Sequence, residues 1–103
     1  MRDRLAEHLD ITTIAGHNAI DVALECCQLL DSKQQDYGPN NIIALGKAGV
    51  LSRIEEKVIR AKRLMQSDAE PRHETLEDTF KDIANFAIIW LLLDRELWPE
   101  KED

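Results

Sequence analysis

Cysteine is scarce in this sequence, and the two cysteines that it has, Cys26 and Cys27, are adjacent. Adjacent side chains on a helix point about 100° apart, and such neighbours rarely form a disulfide. No second cysteine pair supplies the spacing of a zinc site. We therefore expect two buried thiols in a protein from a reducing compartment.

Long apolar runs are missing as well. The N-terminal segment "MRDRLAEHLD" has no apolar stretch of the kind that signal peptides carry. The apolar run "AIIWLLL" at 87–93 has seven residues, whereas a membrane-spanning helix needs about 20. We expect a protein that stays out of membranes and works in the cytoplasm.

Basic residues are outnumbered, since 13 lysines and arginines stand against 20 aspartates and glutamates, for a formal net charge of −7. Such a chain repels phosphate backbones at long range, so we expect no non-specific binding to nucleic acid. A small anionic ligand is compatible with this charge if a local basic cluster or a metal receives it. The length suits one domain over residues 1–103, with a peripheral N-terminal segment at 1–12 and a solvated tail at 99–103.

Glycine and proline are few and concentrated in one stretch. Three of the four glycines and one of the three prolines lie in "QQDYGPNNIIALGKAG", residues 34–49. Apolar residues recur at helical spacing before this stretch, over about 17–36, and again from Gly49 to about residue 65. The breakers therefore predict a compact connection between two long helices.

Within this connection, residues 40–46 predict one short turn of helix. Asn40 or Asn41 would cap its start, and Gly46 would end it. A loop at 67–73 then precedes a third long helix over about 74–97. No segment alternates for long enough to predict a strand. The sequence thus predicts an all-α fold, a helical bundle of three long helices plus short ones.

The third long helix carries a row of acidic residues. Glu74, Asp78 and Asp82 are each four residues apart, and Asn85 falls on the same face. Like charges at this spacing repel, and a hard cation such as Mg²⁺ or Mn²⁺ would offset the repulsion. A solvated acidic face is the alternative. The opposite face is apolar and holds five residues: Leu76, Phe80, Ile83, Ala87 and Leu91.

The second long helix carries complementary charge. Arg53, Glu56, Arg60 and Arg63 form a stripe, with Lys57 between that stripe and the apolar face. Arginine and lysine are the residues that bind phosphate. An exposed helix with internal ion pairs such as Glu56–Arg60 is the alternative. An acidic row on one helix and a basic stripe on another are the components that a metal–phosphate site needs.

Three segments resemble the motifs of a phage and bacterial family, nucleotide modification associated domain 1. They are "DYGPNNI", "GVLSRIEEKVIR" and "ETLEDTFKDIANFAI", and the resemblance covers about residues 28–93. That family is similar to the all-α nucleoside triphosphate pyrophosphatases of the MazG and dimeric dUTPase group. The resemblance therefore implies a MazG-like bundle, completed by dimerisation, that binds Mg²⁺ or Mn²⁺ and a nucleotide.

The resemblance also implies roles for individual residues. It assigns the metal to four acidic residues: Glu56, Glu74, Asp78 and Asp82. Of these, Glu56 and Asp78 would also act in catalysis. It assigns the nucleotide to eight further residues: Lys33, Asp36, Tyr37, Asn41, Arg53, Lys57, Arg60 and Asn85. Tyr37 and Asn41 would contact the nucleoside, while the basic residues of the second helix would contact the phosphates.

One departure from the pyrophosphatase pattern bears on the reaction. Those enzymes have two glutamates three residues apart, whereas this chain has adjacent glutamates, Glu55 and Glu56, which point in different directions. The implied function is a Mg²⁺-dependent pyrophosphohydrolase acting on a (deoxy)nucleoside triphosphate, in phage nucleotide or DNA modification metabolism and hence in the host cytoplasm if phage-encoded. The alternatives are a nucleotide-binding module without turnover and a structural helical interaction protein.

The segment "ANFAIIWLLL" at 84–93 bears on oligomerisation. A helix that is apolar on nearly every side is buried, often at a subunit interface. We therefore expect a homodimer with this segment near its core.

Overall fold

The computed structural model describes residues 1–67 and 72–103, with the side chains of all of these except 72–74. Every regular element in this part of the chain is an α-helix, which confirms the predicted all-α class. The helices are α1 (Arg2–His8), α2 (Ile14–Tyr37), α3 (Asn40–Gln66) and α4 (Arg72–Asp94). None of the described helices is long and apolar enough to cross a membrane.

The start of α2 is fixed by a side-chain cap. Thr13 has extended backbone angles, and its hydroxyl accepts a 3.0 Å hydrogen bond from the backbone N–H of Gly16. This cap satisfies one of the free N–H groups at the start of the helix. The helix therefore begins three residues earlier than the apolar pattern predicts. The short helix α1 packs against α2, where Arg2 and Asp21 form a 2.8 Å ion pair.

The connection between α2 and α3 is shorter than predicted. Gly38 takes a φ of 70°, which glycine adopts without strain, and Pro39 occupies the cap position of α3 without a side-chain cap. The expectation that Asn40 or Asn41 caps the helix is therefore wrong. Helical structure then runs through the predicted short turn and onward, with one interruption at Gly46, whose φ is 64°.

The helix α4 ends at Asp94 in a turn that reverses the chain. Glu96 has a positive φ of 57°, and the backbone N–H of Leu97 donates to the carbonyl of Leu92 at 2.8 Å. This is the hydrogen-bond pattern of a Schellman cap. The turn brings Trp98 back to the α2–α3 connection, where its indole N–H donates to the carbonyl of Pro39 at 3.2 Å.

The C-terminal residues 99–103 are exposed, yet one of them is bound to the α2–α3 connection. The side-chain amide of Asn40 donates to the carbonyl of Glu102 at 2.7 Å and accepts from its N–H at 2.8 Å. One asparagine therefore pairs with both backbone polar groups of a residue 62 positions away.

The core lies where α3 and α4 pack together, which is the most extensive contact between described helices. Ile42, Val50 and Ile89 are buried at its centre. Partly buried apolar residues surround them: Leu30, Leu45, Ile54, Phe86, Trp90, Leu93 and Trp98. The contact of α2 with α4 is smaller, so α2 forms one wall of a cleft rather than a fully packed layer.

The packed face of α4 differs from its apolar pattern, and one prediction about packing is wrong. On α4, Phe80 is 52% exposed and Leu91 is 44% exposed, whereas Thr79 and Asn85 are buried. The segment is apolar on nearly every side, so its periodicity does not determine which face packs inward. Of the two thiols, only Cys26 is buried and Cys27 is exposed.

Candidate functional site

A pocket of about 200 Å³ lies between α2, α3 and α4. Its interior is mainly apolar, and polar side chains from all three helices line it as well. The lining residues are Leu30, Lys33, Gln34, Tyr37, Asn41, Ile42, Lys57, Asp82, Asn85, Phe86 and Ile89. Six of the twelve residues that the motifs assign to a site meet here: Lys33, Tyr37, Asn41, Lys57, Asp82 and Asn85.

The three helices meet at one carboxylate. Lys33 of α2 lies 2.8 Å from one oxygen of Asp82, and Lys57 of α3 lies 3.0 Å from the other. The side chain of Asp82 is only 18% exposed. Burial alone would raise the pKa of Asp82, but the hydrogen bonds and charges of the two lysines outweigh it and lower the pKa. The carboxylate is therefore ionised at neutral pH, and the two ammonium groups leave a local excess of positive charge.

A second polar group of the pocket has no partner. Asn85 is 6% exposed, and its Oδ1 accepts no hydrogen bond from the described residues. Most buried polar atoms in proteins are hydrogen-bonded, so this acceptor is a candidate contact for a water or a ligand in the pocket.

Tyr37 and Asn41 stand at the mouth of the pocket. Both are exposed, and the Tyr37 ring is 69% accessible. Tyr37 is the last residue of α2, and the positive φ of Gly38 directly after it turns the chain toward α3. The breaker-rich connection thus places an aromatic ring and an amide at the edge of an apolar cleft.

Other residues assigned by the motifs lie outside this pocket. Arg53 and Glu56 form a 3.1 Å ion pair on the surface of α3. Glu56 and Arg60 line a separate groove, and Asp36 lies on another, beside Gly38. The one-turn pairing on α3 joins Arg53 with Glu56 rather than Glu56 with Arg60.

The predicted metal ligands do not come together in the described part of the chain. Asp82 is bonded to two lysines, Asp78 is exposed and outside the pocket, and Glu56 lies elsewhere. The side chain of Glu74 lies outside the described residues. Among the residues that are described, no group of three histidines, cysteines or carboxylates could hold a metal ion. The Mg²⁺ or Mn²⁺ site therefore remains a prediction from the motifs.

The motif analysis missed the apolar walls of the pocket and one amide: Leu30, Gln34, Ile42, Phe86 and Ile89. Partial signals exist in the sequence, because Leu30 belongs to the apolar stripe of α2, Gln34 follows Lys33, and Phe86 follows Asn85. Their convergence depends on how the helices pack, which spacing along one helix does not reveal.

Comparison with known proteins adds no relative: no family model, no curated protein and no solved structure matches this chain.

Proposed function

We propose that this chain binds a nucleotide, with its base in the pocket between α2, α3 and α4 and its phosphates at the lysines. The observation that carries the proposal is the convergence of Lys33 and Lys57, from different helices, on the rim of an apolar cavity. Neither lysine is near the other in sequence, so their meeting is a product of the fold. A cavity with an apolar interior and a few convergent polar groups is typical of a small-molecule site.

The lysine end suits an anion. The charged residues that line the pocket are two lysines and one carboxylate, so their formal charges sum to +1. The Lys33 side chain is 48% exposed, so it can swing from Asp82 to a phosphate oxygen without unpacking the core. Charge-assisted bonds from lysine to phosphate are stronger than neutral hydrogen bonds.

The apolar end suits a flat ring. Leu30, Ile42, Phe86 and Ile89 form walls without charge. A volume of about 200 Å³ is below the roughly 300–1,000 Å³ of sites that enclose a drug-sized molecule. The cavity therefore fits one ring system, while the sugar and phosphates lie nearer its rim.

Binding is the function that this geometry supports, and hydrolysis depends on groups outside the pocket. The predicted Mg²⁺-dependent pyrophosphohydrolase needs several carboxylates around the phosphates. Asp82 is the one described carboxylate that lines the pocket. Turnover in phage nucleotide or DNA modification metabolism is thus supported by the motif resemblance alone.

The test is a thermal-shift and calorimetry screen of the common ribo- and deoxyribonucleoside mono- and triphosphates, with and without Mg²⁺. A bound nucleotide raises the melting temperature by mass action. Lys33→Gln and Lys57→Gln should each reduce the shift, whereas Lys62→Gln, an exposed lysine of α3 outside the pocket, should not. Release of pyrophosphate in the same mixtures would show that the protein also hydrolyses the nucleotide. If no nucleotide shifts the melting temperature or gives heat, the proposal is wrong, and a structural interaction protein is the better reading.

We further propose that a second copy of the chain covers a separate apolar groove between α3 and α4. Five apolar residues line it: Leu51, Ile54, Ala87, Trp90 and Leu91. Leu51 is 50% exposed and Leu91 is 44% exposed. Contiguous exposed apolar surface marks interaction sites, and three of the five residues belong to the segment at 84–93 for which a dimer interface is predicted.

Light scattering at micromolar concentration tests the dimer. Leu91→Gln should shift the assembly toward monomers, because it places an amide in the apolar contact. Leu97→Gln is the matched control, since Leu97 is 63% exposed and outside the groove. A wild-type mass equal to one chain would rule out the dimer under these conditions.

A further inference from the structure

The amide of Asn85 is a buried polar group on α4, close to other polar groups that do have hydrogen-bond partners. One turn earlier Asp82 has two lysine partners, and the buried hydroxyl of Thr79 donates to the carbonyl of Thr75 at 2.7 Å. Asn85 Oδ1 has no donor among the described residues, although only 6% of the residue is exposed. Among the described residues, the other buried polar groups on this face of α4 are therefore hydrogen-bonded, and Asn85 Oδ1 is the acceptor without a donor.

The position of Asn85 places this acceptor beside the pocket. Along α4 the residue lies between two other lining residues, the charged Asp82 and the apolar Ile89. The Oδ1 atom itself is buried, and the broad terminal torsion of asparagine lets it turn toward the cavity to accept a hydrogen bond.

We propose that Asn85 selects ligands whose ring donates an N–H at the inner end of the pocket. The inference rests on the proposed nucleotide site and names the feature of the base that the site reads. A ring that brings an N–H gives the buried acceptor a partner, whereas a ring without one displaces water from the amide and replaces none of its hydrogen bonding. The ligand class is therefore a nucleotide with an amino or imide N–H on its base, and N-methylated bases are rejected.

The experiment compares nucleotides that differ in that N–H. Thymidine 5′-monophosphate is titrated against its N3-methyl derivative, and adenosine 5′-monophosphate against its N6,N6-dimethyl derivative, by calorimetry. Ribose 5-phosphate, which has no base, reports what the lysine end binds alone. For the better-binding parent, methylation should weaken binding to the wild-type protein about tenfold or more.

Asn85→Leu is the decisive variant, because leucine has the branching of asparagine and no polar atoms. Replacing an unpaired buried polar group by an apolar one is nearly neutral or stabilising, so the variant should keep or raise the melting temperature. It should bind the parent and methylated nucleotides with affinities within about twofold of each other. Asn18→Leu changes an exposed amide of α2 outside the pocket and should keep the wild-type ratio.

The outcomes separate this inference from the proposed function. If no nucleotide binds more tightly than ribose 5-phosphate, base recognition in the pocket and this inference both fail. If nucleotides bind but methylation does not change affinity, nucleotide binding stands and the N–H requirement is overturned. If Asn85→Leu rejects the methylated bases as strongly as the wild type does, the methyl group is excluded by shape, and the role of Asn85 is overturned as well.

Discussion

Lys33 of α2 donates a 2.8 Å hydrogen bond to Asp82 of α4, across 49 residues of sequence. The bond joins α2 to α4, whose contact with each other is less extensive than that of α3 with α4. Lys57 of α3 binds the other oxygen of the same carboxylate. Asp82 thus links three helices through its two lysine partners. A bound phosphate would have to compete with it for those lysines.

Asp82→Asn is expected to lower the free energy of unfolding by about 1–3 kcal/mol, because it removes the charge from two hydrogen bonds at a largely buried site. Urea unfolding at pH 7 measures the change. Asp94→Asn is the matched control, since Asp94 also pairs with a lysine, Lys47, but with both side chains about half exposed. An exposed pair contributes about 1 kcal/mol or less. Equal effects of the two substitutions would contradict the structural role of Asp82.

The same carboxylate predicts a pH dependence. Because the pKa of Asp82 is lowered in the folded protein, its contribution to stability is complete above the unfolded value of about 3.9 and disappears as the pH falls through the folded value. The stability difference between the wild type and Asp82→Asn should therefore be constant near neutral pH and shrink below about pH 4. A difference that shrinks already between pH 7 and 5 would point to another titrating group.

Local rules predicted the helices better than they predicted their faces. The apolar spacing and the breakers at Gly38 and Pro39 locate α2 and α3 closely, because helix signals are carried by residues a few positions apart. The packed face of α4 could not be predicted, since a segment with apolar residues on nearly all sides, such as 83–93, has no polar face to distinguish from an apolar one.

Six of the eleven residues that line the candidate site were named from the sequence, but their arrangement in space was not. Lys33, Lys57 and Asp82 each stand in a motif, but no spacing indicates that both lysines meet one carboxylate. The unpaired state of Asn85 is likewise a property of the packed structure. Glu56 and Arg60 follow the same motifs and yet line another groove, because the helix turns them away from the cleft.

The break at Gly46 gives a prediction that involves backbone strain alone. Its φ of 64° and ψ of −176° lie in a region that only glycine occupies readily, and no atom lies within 4 Å of where a Cβ would stand. Gly46→Ala should therefore destabilise the fold by about 1–3 kcal/mol without any steric clash. If thermal unfolding instead shows a gain of about 0.4–1 kcal/mol, as for a glycine in an ordinary conformation, the interruption of α3 is incorrect.

The pairing of Asn40 with the backbone of Glu102 predicts a role for the C-terminal segment. Asn40→Ala removes both hydrogen bonds and should cost about 1–2 kcal/mol, since each exposed bond contributes around 0.5–1.5 kcal/mol. It should also raise the amide-exchange rate at residues 98–102, measured by NMR. Asn41→Ala changes the next residue, which makes no such pairing, and should leave exchange there unchanged. Identical exchange in the two variants would show that the segment is held by Trp98 alone.

Tyr37 provides the clearest test of how the pocket mouth contributes to binding. Its ring is 69% exposed at the edge of the cavity, where a base could stack against it. Tyr37→Ala should weaken nucleotide binding by about 1–3 kcal/mol, the range for stacking of one base on an aromatic side chain. Because the ring would contact the base and not the phosphates, the loss should be similar for a monophosphate and a triphosphate, whereas Lys33→Gln should weaken the triphosphate more. Tyr37→Phe keeps the ring and should bind as the wild type does in the same calorimetric titrations. Unchanged affinity in Tyr37→Ala would mean that the breaker-rich stretch serves only to connect α2 with α3.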